Sequence, residues 1–186
     1  MKYQKLPMIM SCGLYYETDG LRELCHSVKQ RNNDALTTAA ECLSDVVSLY
    51  GLDNFHIIPI PNHSGRAEYT LEILKRLKTL RHDVEIDDIL IGAEHPTMYD
   101  KKKSGGGVLS SDELGFRLTG NVKSRNTILF DNVIGTGTTY FAAMDAMGIE
   151  LPLLVLGQVH DTEHYKREWK RWLASKNDEE KNEHRF

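Results

Sequence analysis

The sequence predicts an α/β fold: a parallel sheet flanked by helices. Three observations lead there. Short apolar runs alternate with segments of helical periodicity along the chain. One of those runs, residues 151–159, is apolar on both faces, as a strand buried between two helical layers has to be. Residues 127–139 read T-I-L-F-D-N-V-I-G-T-G-T-T, a strand that enters a Gly/Thr turn ahead of a helix. A chain of 186 residues has the size of one domain with a useful core. That domain is expected to cover residues 1–175, with residues 176–186 as a charged, frayed tail.

Residues 19–30 form the first predicted helix. Residues 34–50 are the strongest amphipathic segment: Leu36, Ala39, Ala40, Leu43, Val46, Val47 and Tyr50 keep helical spacing, and Gly51 suits the position that ends a helix. Residues 55–60, a β-branched run between Asn54 and Pro61, read as a strand. Residues 66–81 read as a helix whose apolar face carries Leu71, Leu74 and Leu77, flanked by Ile73 and Leu80. Residues 86–92 and 126–131 are the next two strands. Residues 140–147 form the helix after the Gly/Thr turn, closed by Gly148. After the strand at 151–159, Asp161 can cap a last helix reaching about Ser175. The segment between Gly92 and Thr127 shows little periodicity before Leu118, and it holds Lys101, Lys102 and Lys103 followed by Gly105, Gly106 and Gly107. A stretch this long is either a lid or binding loop, or a disordered basic excursion.

The chemistry concentrates in the Gly/Thr turn. Gly135 and Gly137 let the backbone fold tightly and approach a ligand. Thr136, Thr138 and Thr139 add hydroxyl donors, and the first amides of the following helix favour an anion. Asp131 is expected at the carboxyl end of its strand, where open parallel sheets bind ligands. A carboxylate does not hold phosphate, but it accepts hydrogen bonds from sugar hydroxyls. The segment therefore suits a phosphorylated sugar. There is no G-x-x-x-x-G-K-[ST], and G-x-G-x-x-G fails because position 140 is Tyr.

The same thirteen residues resemble the phosphoribosyl pyrophosphate (PRPP) signature of type I phosphoribosyltransferases: an apolar strand, two acids, then a Thr/Gly loop. Asn132 departs from that pattern at the second acid. A second resemblance lies at Ile57-Ile58-Pro59-Ile60-Pro61-Asn62-His63-Ser64-Gly65-Arg66, which is similar to the strand and Pro-x-Pro turn of the ComF-like branch, without that branch's zinc ribbon. Read from the residues alone, Pro59 and Pro61 stiffen a strand exit and Arg66 starts a solvated helix. The resemblance implies a small hood over the sheet and a mobile loop before the PRPP motif. It implies transfer of phosphoribose from PRPP to a nucleobase-type acceptor with release of pyrophosphate. Asp131 and Asn132 would serve the ribose as the catalytic pair, Gly135 to Thr139 the 5′-phosphate, and His63, Ser64, Gly65 and Arg66, with part of the lysine loop, the pyrophosphate. Mg2+ would arrive with PRPP, with no dedicated protein metal ligands. The alternatives are a non-catalytic PRPP or nucleotide sensor on the same fold, which Asn132 favours, and a phosphate-ester hydrolase or interaction module that reuses the cradle.

Composition sets the outer bounds. The hydrophobic fraction is 40% and the charged fraction 27%, as in ordinary globular proteins. A formal net charge of −4 gives no reason to expect nucleic acid as a partner. No apolar run spans a membrane, no secretory signal is recognisable, and Cys12, Cys25 and Cys42 show no C-x-x-C pattern. A cytoplasmic protein with reduced thiols is expected, its partners being PRPP and a small-molecule acceptor, with a homodimer left open. Three features take plain structural readings: Asp161 as a helix cap, Asp87-Asp88 as an acidic surface turn, and Trp169 with Trp172 as docking residues of the last helix.

Overall fold

The computed structural model describes residues 6–105, 109–123 and 126–183, without the side chains of residues 98, 99, 102 and 176–183. In chain order the elements are β1 (Ile9–Leu14), α1 (Leu21–Lys29), α2 (Asn33–Leu49), β2 (Phe55–Pro59), α3 (Tyr69–Leu80), β3 (Val84–Ile86), β4 (Leu90–Ile91), α4 (Met98–Lys103), α5 (Ser111–Leu114), β5 (Arg117–Leu118), β6 (Thr127–Ile134), α6 (Thr138–Met147), β7 (Leu153–Gln158) and α7 (Thr162–Glu183). One five-stranded sheet has the order β1-β7-β6-β2-β3, and every neighbouring pair is parallel. The short β4 and β5 leave it and pair antiparallel with each other, Leu90 opposite Leu118.

Apolar side chains alternate between the two faces. Ile57, Ile128, Phe130, Leu154 and Leu156 pack under α1, α2 and α3. Ile58, Leu129, Leu153 and Val155 pack under α6 and α7, with Leu90 and Leu118 of the β4–β5 ribbon joining that side. This two-sided burial is what the continuous apolar runs require. The connection after β2 leads outward to β3, whereas that after β6 leads the other way to β7. The carboxyl ends of β2 and β6, neighbours in the sheet, therefore flank a topological switch point, where such sheets open a crevice.

Several expectations are corrected. β1 pairs with β7 as a fifth strand at the sheet's edge, although residues 9–14 carry only one fully buried side chain, Met10, and so little apolar signal. The single strand expected at 86–92 is two. The Asp87 amide donates to Ile57 O, the Ile89 amide donates back to Asp87 O, and the chain then swings into β4. Asp87 is not a surface residue. It is buried, with its carboxylate 2.8 Å from His56 Nδ1 and 3.1 Å from Lys123 Nζ. The stretch between Gly92 and Thr127 holds α4, α5 and β5, with a Ser110/Glu113 capping box at α5; Gly106 and Gly107 of the expected lid lie outside the described residues. The helix expected from Arg66 starts at Tyr69, because residues 62–66 close a turn in which the Asn62 amide donates to Arg66 O. β6 runs three residues past Asp131, and α7 runs on to Glu183. The cap at Asp161 is present, its Oδ1 accepting from the His164 amide at 2.7 Å. Trp169 is buried and stacks on Trp172 at 5.3 Å, both against Phe141.

Candidate functional site

The Gly/Thr turn forms where β6 ends. Gly135, Thr136 and Gly137 link the strand to α6, and Gly137 takes φ 90, a left-handed conformation that admits glycine. No side chain caps α6. Its first amides have no intrahelical partner, and unpaired amides of that kind favour negative charge. Thr136 Oγ1 and Thr138 Oγ1 lie 3.0 Å apart. A side chain at Gly137 would reach within 2.7 Å of Phe141, whereas the space around Gly135 is open. This half of the crevice, about 270 Å³, is lined by Asp131 and by Gly135 through Thr139.

The adjoining half, about 330 Å³, is bounded by the loop leaving β2, by the start of α3 and by the segment after β4. Asn62, His63, Glu68, Tyr69, His95 and Thr97 face it, with Leu109 and Leu114 as apolar wall. Asp131, Val133, Thr139 and Lys29 border both halves. The structure thus brings Asp131, Asn132, His63 and the whole Gly135–Thr139 turn to one crevice. It does not bring Ser64, Gly65 or Arg66 to the crevice lining. Ser64 Oγ donates to Asn62 Oδ1 at 2.7 Å and to Glu68 Oε1 at 3.1 Å. Gly65 takes φ 75, its carbonyl accepts from the Gly92 amide, and a Cβ there would meet Gly92 O at 2.4 Å. Arg66 is exposed. These residues shape the loop and fasten it to the exit of β4. In the lysine loop, Lys101 pairs with Glu113.

The two residues of the expected catalytic pair behave differently, because alternate residues of a strand face opposite ways. Asp131 borders the crevice. Burial pushes its carboxyl up to about 6, opposed by the hydrogen bond from the Asn132 amide and by the charge of Lys29. Asn132 is 1% exposed, and its side-chain amide donates to Cys25 O in α1 at 2.9 Å. Its Oδ1 has no hydrogen-bond partner among the described residues. Burial raises the Tyr69 hydroxyl far above its usual value; the Asp131 charge adds to this, and the Asn132 side chain opposes it.

Sequence reasoning missed Lys29, Glu68, Tyr69 and His95. Lys29 follows Val28 on the flank of the buried stripe Leu21, Cys25 and Val28, so its spacing alone marks an ordinary solvated lysine. Glu68 and Tyr69 fall inside the helix that the sequence predicts from Arg66.

Fold and site together define an α/β protein with a Gly/Thr turn and a crevice carboxylate at the switch point of a parallel sheet. No family model and no curated protein matches the chain. Among solved structures it is similar to a hypoxanthine phosphoribosyltransferase from Staphylococcus aureus, at 16% identity and a TM-score of 0.41, over 68% of this chain and 67% of that one. It is also similar to the Trypanosoma cruzi hypoxanthine phosphoribosyl transferase, at 13% identity and a TM-score of 0.41, over 85% of this chain and 72% of that one. Likeness of that degree carries no weight for the chemistry, which rests on the crevice itself. Among the described residues no helix is long and apolar enough to cross a membrane.

Proposed function

We propose that the protein is a phosphoribosyltransferase that moves phosphoribose from PRPP to a nucleobase-type acceptor and releases pyrophosphate. One observation carries the reading: the Gly135–Thr139 cradle, the Asp131 carboxylate and the His63 loop open onto one crevice. That is the order in which a 5-phosphate, a ribose and a diphosphate succeed one another along PRPP. Asp131 would accept from ribose hydroxyls, and the α6 amides with the threonine hydroxyls would hold the 5′-phosphate. His63 would face the diphosphate. Positioning and exclusion of water do the work, with no protein nucleophile.

Mg2+ suits a group that enters with the diphosphate. It keeps several waters and needs one or two carboxylates, and Glu68, held low by its hydrogen bond from Ser64, stands beside His63 on the crevice wall. Among the described residues no cluster of three or more ligating side chains forms a resident metal cage. When bound, the ion would neutralise charge on the leaving diphosphate.

The test is pyrophosphate release from PRPP and Mg2+ across a panel of purine and pyrimidine bases. Base-dependent release supports the reading. Hydrolysis of the sugar phosphate with no base present would replace it with a hydrolase. A second reading, a PRPP sensor that performs no transfer, is favoured by one detail: Asn132 brings no charge and commits its amide to Cys25 O. PRPP binding with no turnover on any base would select it.

A further inference from the structure

Among the described residues, Lys29 is the one that borders both halves of the crevice from outside the β2 exit, the post-β4 segment and the β6–α6 region. It sits at the last residue of α1. Three cations of neighbouring segments are committed: Arg31 lies 3.0 Å from Glu68 and 3.8 Å from Glu72, Lys101 pairs with Glu113, and Lys123 meets Asp87. Lys29 forms no ion pair with a described residue, and its charge acts on Asp131 across the crevice. A phosphate entering beside the Asp131 carboxylate meets like charge at short range, which in a half-enclosed site costs several-fold more than in water. The α6 amides offset part of this at the cradle end only, since a helix terminus acts within one turn.

We propose that Lys29 is the anion-binding cation of this crevice: its ammonium donates to phosphate oxygens of the ligand where the cradle meets the His63 loop, making α1 part of the binding site. For PRPP as ligand this rests on the phosphoribosyl reading; the chemistry itself needs only a phosphate or diphosphate anion. A lysine suits the place because a compact charge on a flexible stem can serve either half.

Calorimetric titration of the full chain tests it, with PRPP and separately with inorganic pyrophosphate, each with Mg2+, for the wild type, Lys29→Ala and Lys29→Arg. The expected result is affinity at least about tenfold weaker in Lys29→Ala, the scale of one lost charge-assisted hydrogen bond, and largely restored in Lys29→Arg. The pH below which PRPP binding fades should also move upward in Lys29→Ala, because Asp131 loses the cation that favours its ionised form, the form that accepts from the ribose hydroxyls. Lys29→Ala binding within twofold of wild type overturns the proposal. So does a loss that Lys29→Arg leaves unrepaired with the pH midpoint unmoved, since that marks a structural role. If the wild type binds pyrophosphate but not PRPP, the phosphoribosyl reading falls and Lys29 is judged on pyrophosphate by the affinities of Lys29→Ala and Lys29→Arg alone. If it binds neither, both fall.

Discussion

At the scale of single residues, the two glycines of the cradle separate folding from binding. Gly137 is left-handed and crowded by Phe141, so Gly137→Ala should cost about 1–2 kcal/mol of stability, read as a lower midpoint in thermal or denaturant unfolding. Gly135 has open space around it, so Gly135→Ala should unfold like the wild type and still bind phosphate or PRPP more weakly, because the new methyl group occupies the ligand's room. Equal affinity in calorimetry would move the anion elsewhere. Asp131 sets the pH dependence. Its folded pKa, about 6, stands above the ordinary 3.8, so the fold favours the protonated form. Its burial therefore weighs against stability above about pH 6, and that penalty is relieved as pH falls from about 6 towards the unfolded value. Sugar binding runs the other way. Affinity for PRPP should fall as pH drops through about 6 and the acceptor gains a proton, and Asp131→Asn should flatten that profile.

At the scale of elements, Asn132 ties β6 to α1 through Cys25 O. A carboxylate in its place would set oxygen against oxygen in a buried position. Asn132→Asp, although it restores the acid of the family pattern, should lower stability by about 1–3 kcal/mol in denaturant titration, with no gain in turnover. A more active and equally stable variant would show that the side chain serves the ribose instead. The same scale explains what the sequence made legible. α2, β2, α6 and β7 were readable because their periodicity is long or their apolar run unbroken, and local pattern there agrees with burial. β1 was hidden because an edge strand with one fully buried side chain carries almost no alternation. β3 and β4 were merged because their boundary is set by Asp87, whose partners His56 and Lys123 are 31 and 36 positions away in the chain. The Gly/Thr turn could be read from composition, since glycine and threonine act through the backbone beside them. Lys29 and Tyr69 could not, since only the assembled fold turns them towards Asp131.

At the scale of the whole molecule, Asp87 is the joint between the sheet and the β4–β5 ribbon over it. Its carboxylate, 3% exposed, joins His56 on β2 to Lys123 on the segment that returns to β6. Asp87→Asn should cost about 1–3 kcal/mol and speed hydrogen exchange in residues 89–123 more than in the five-stranded sheet. Uniform acceleration would mean that ribbon and sheet open together. The pairing of β1 with β7 has a consequence of another kind. Met10 lies opposite Leu154, with nearly all the intervening chain between them. During synthesis β1 leaves the ribosome well ahead of β7 and has no strand to join until β7 has emerged, while β7 needs β6 as well. The sheet therefore closes late, from its β3 edge across to β1, and β1 stays unpaired while everything between it and β7 is translated, the interval in which a chaperone would matter most.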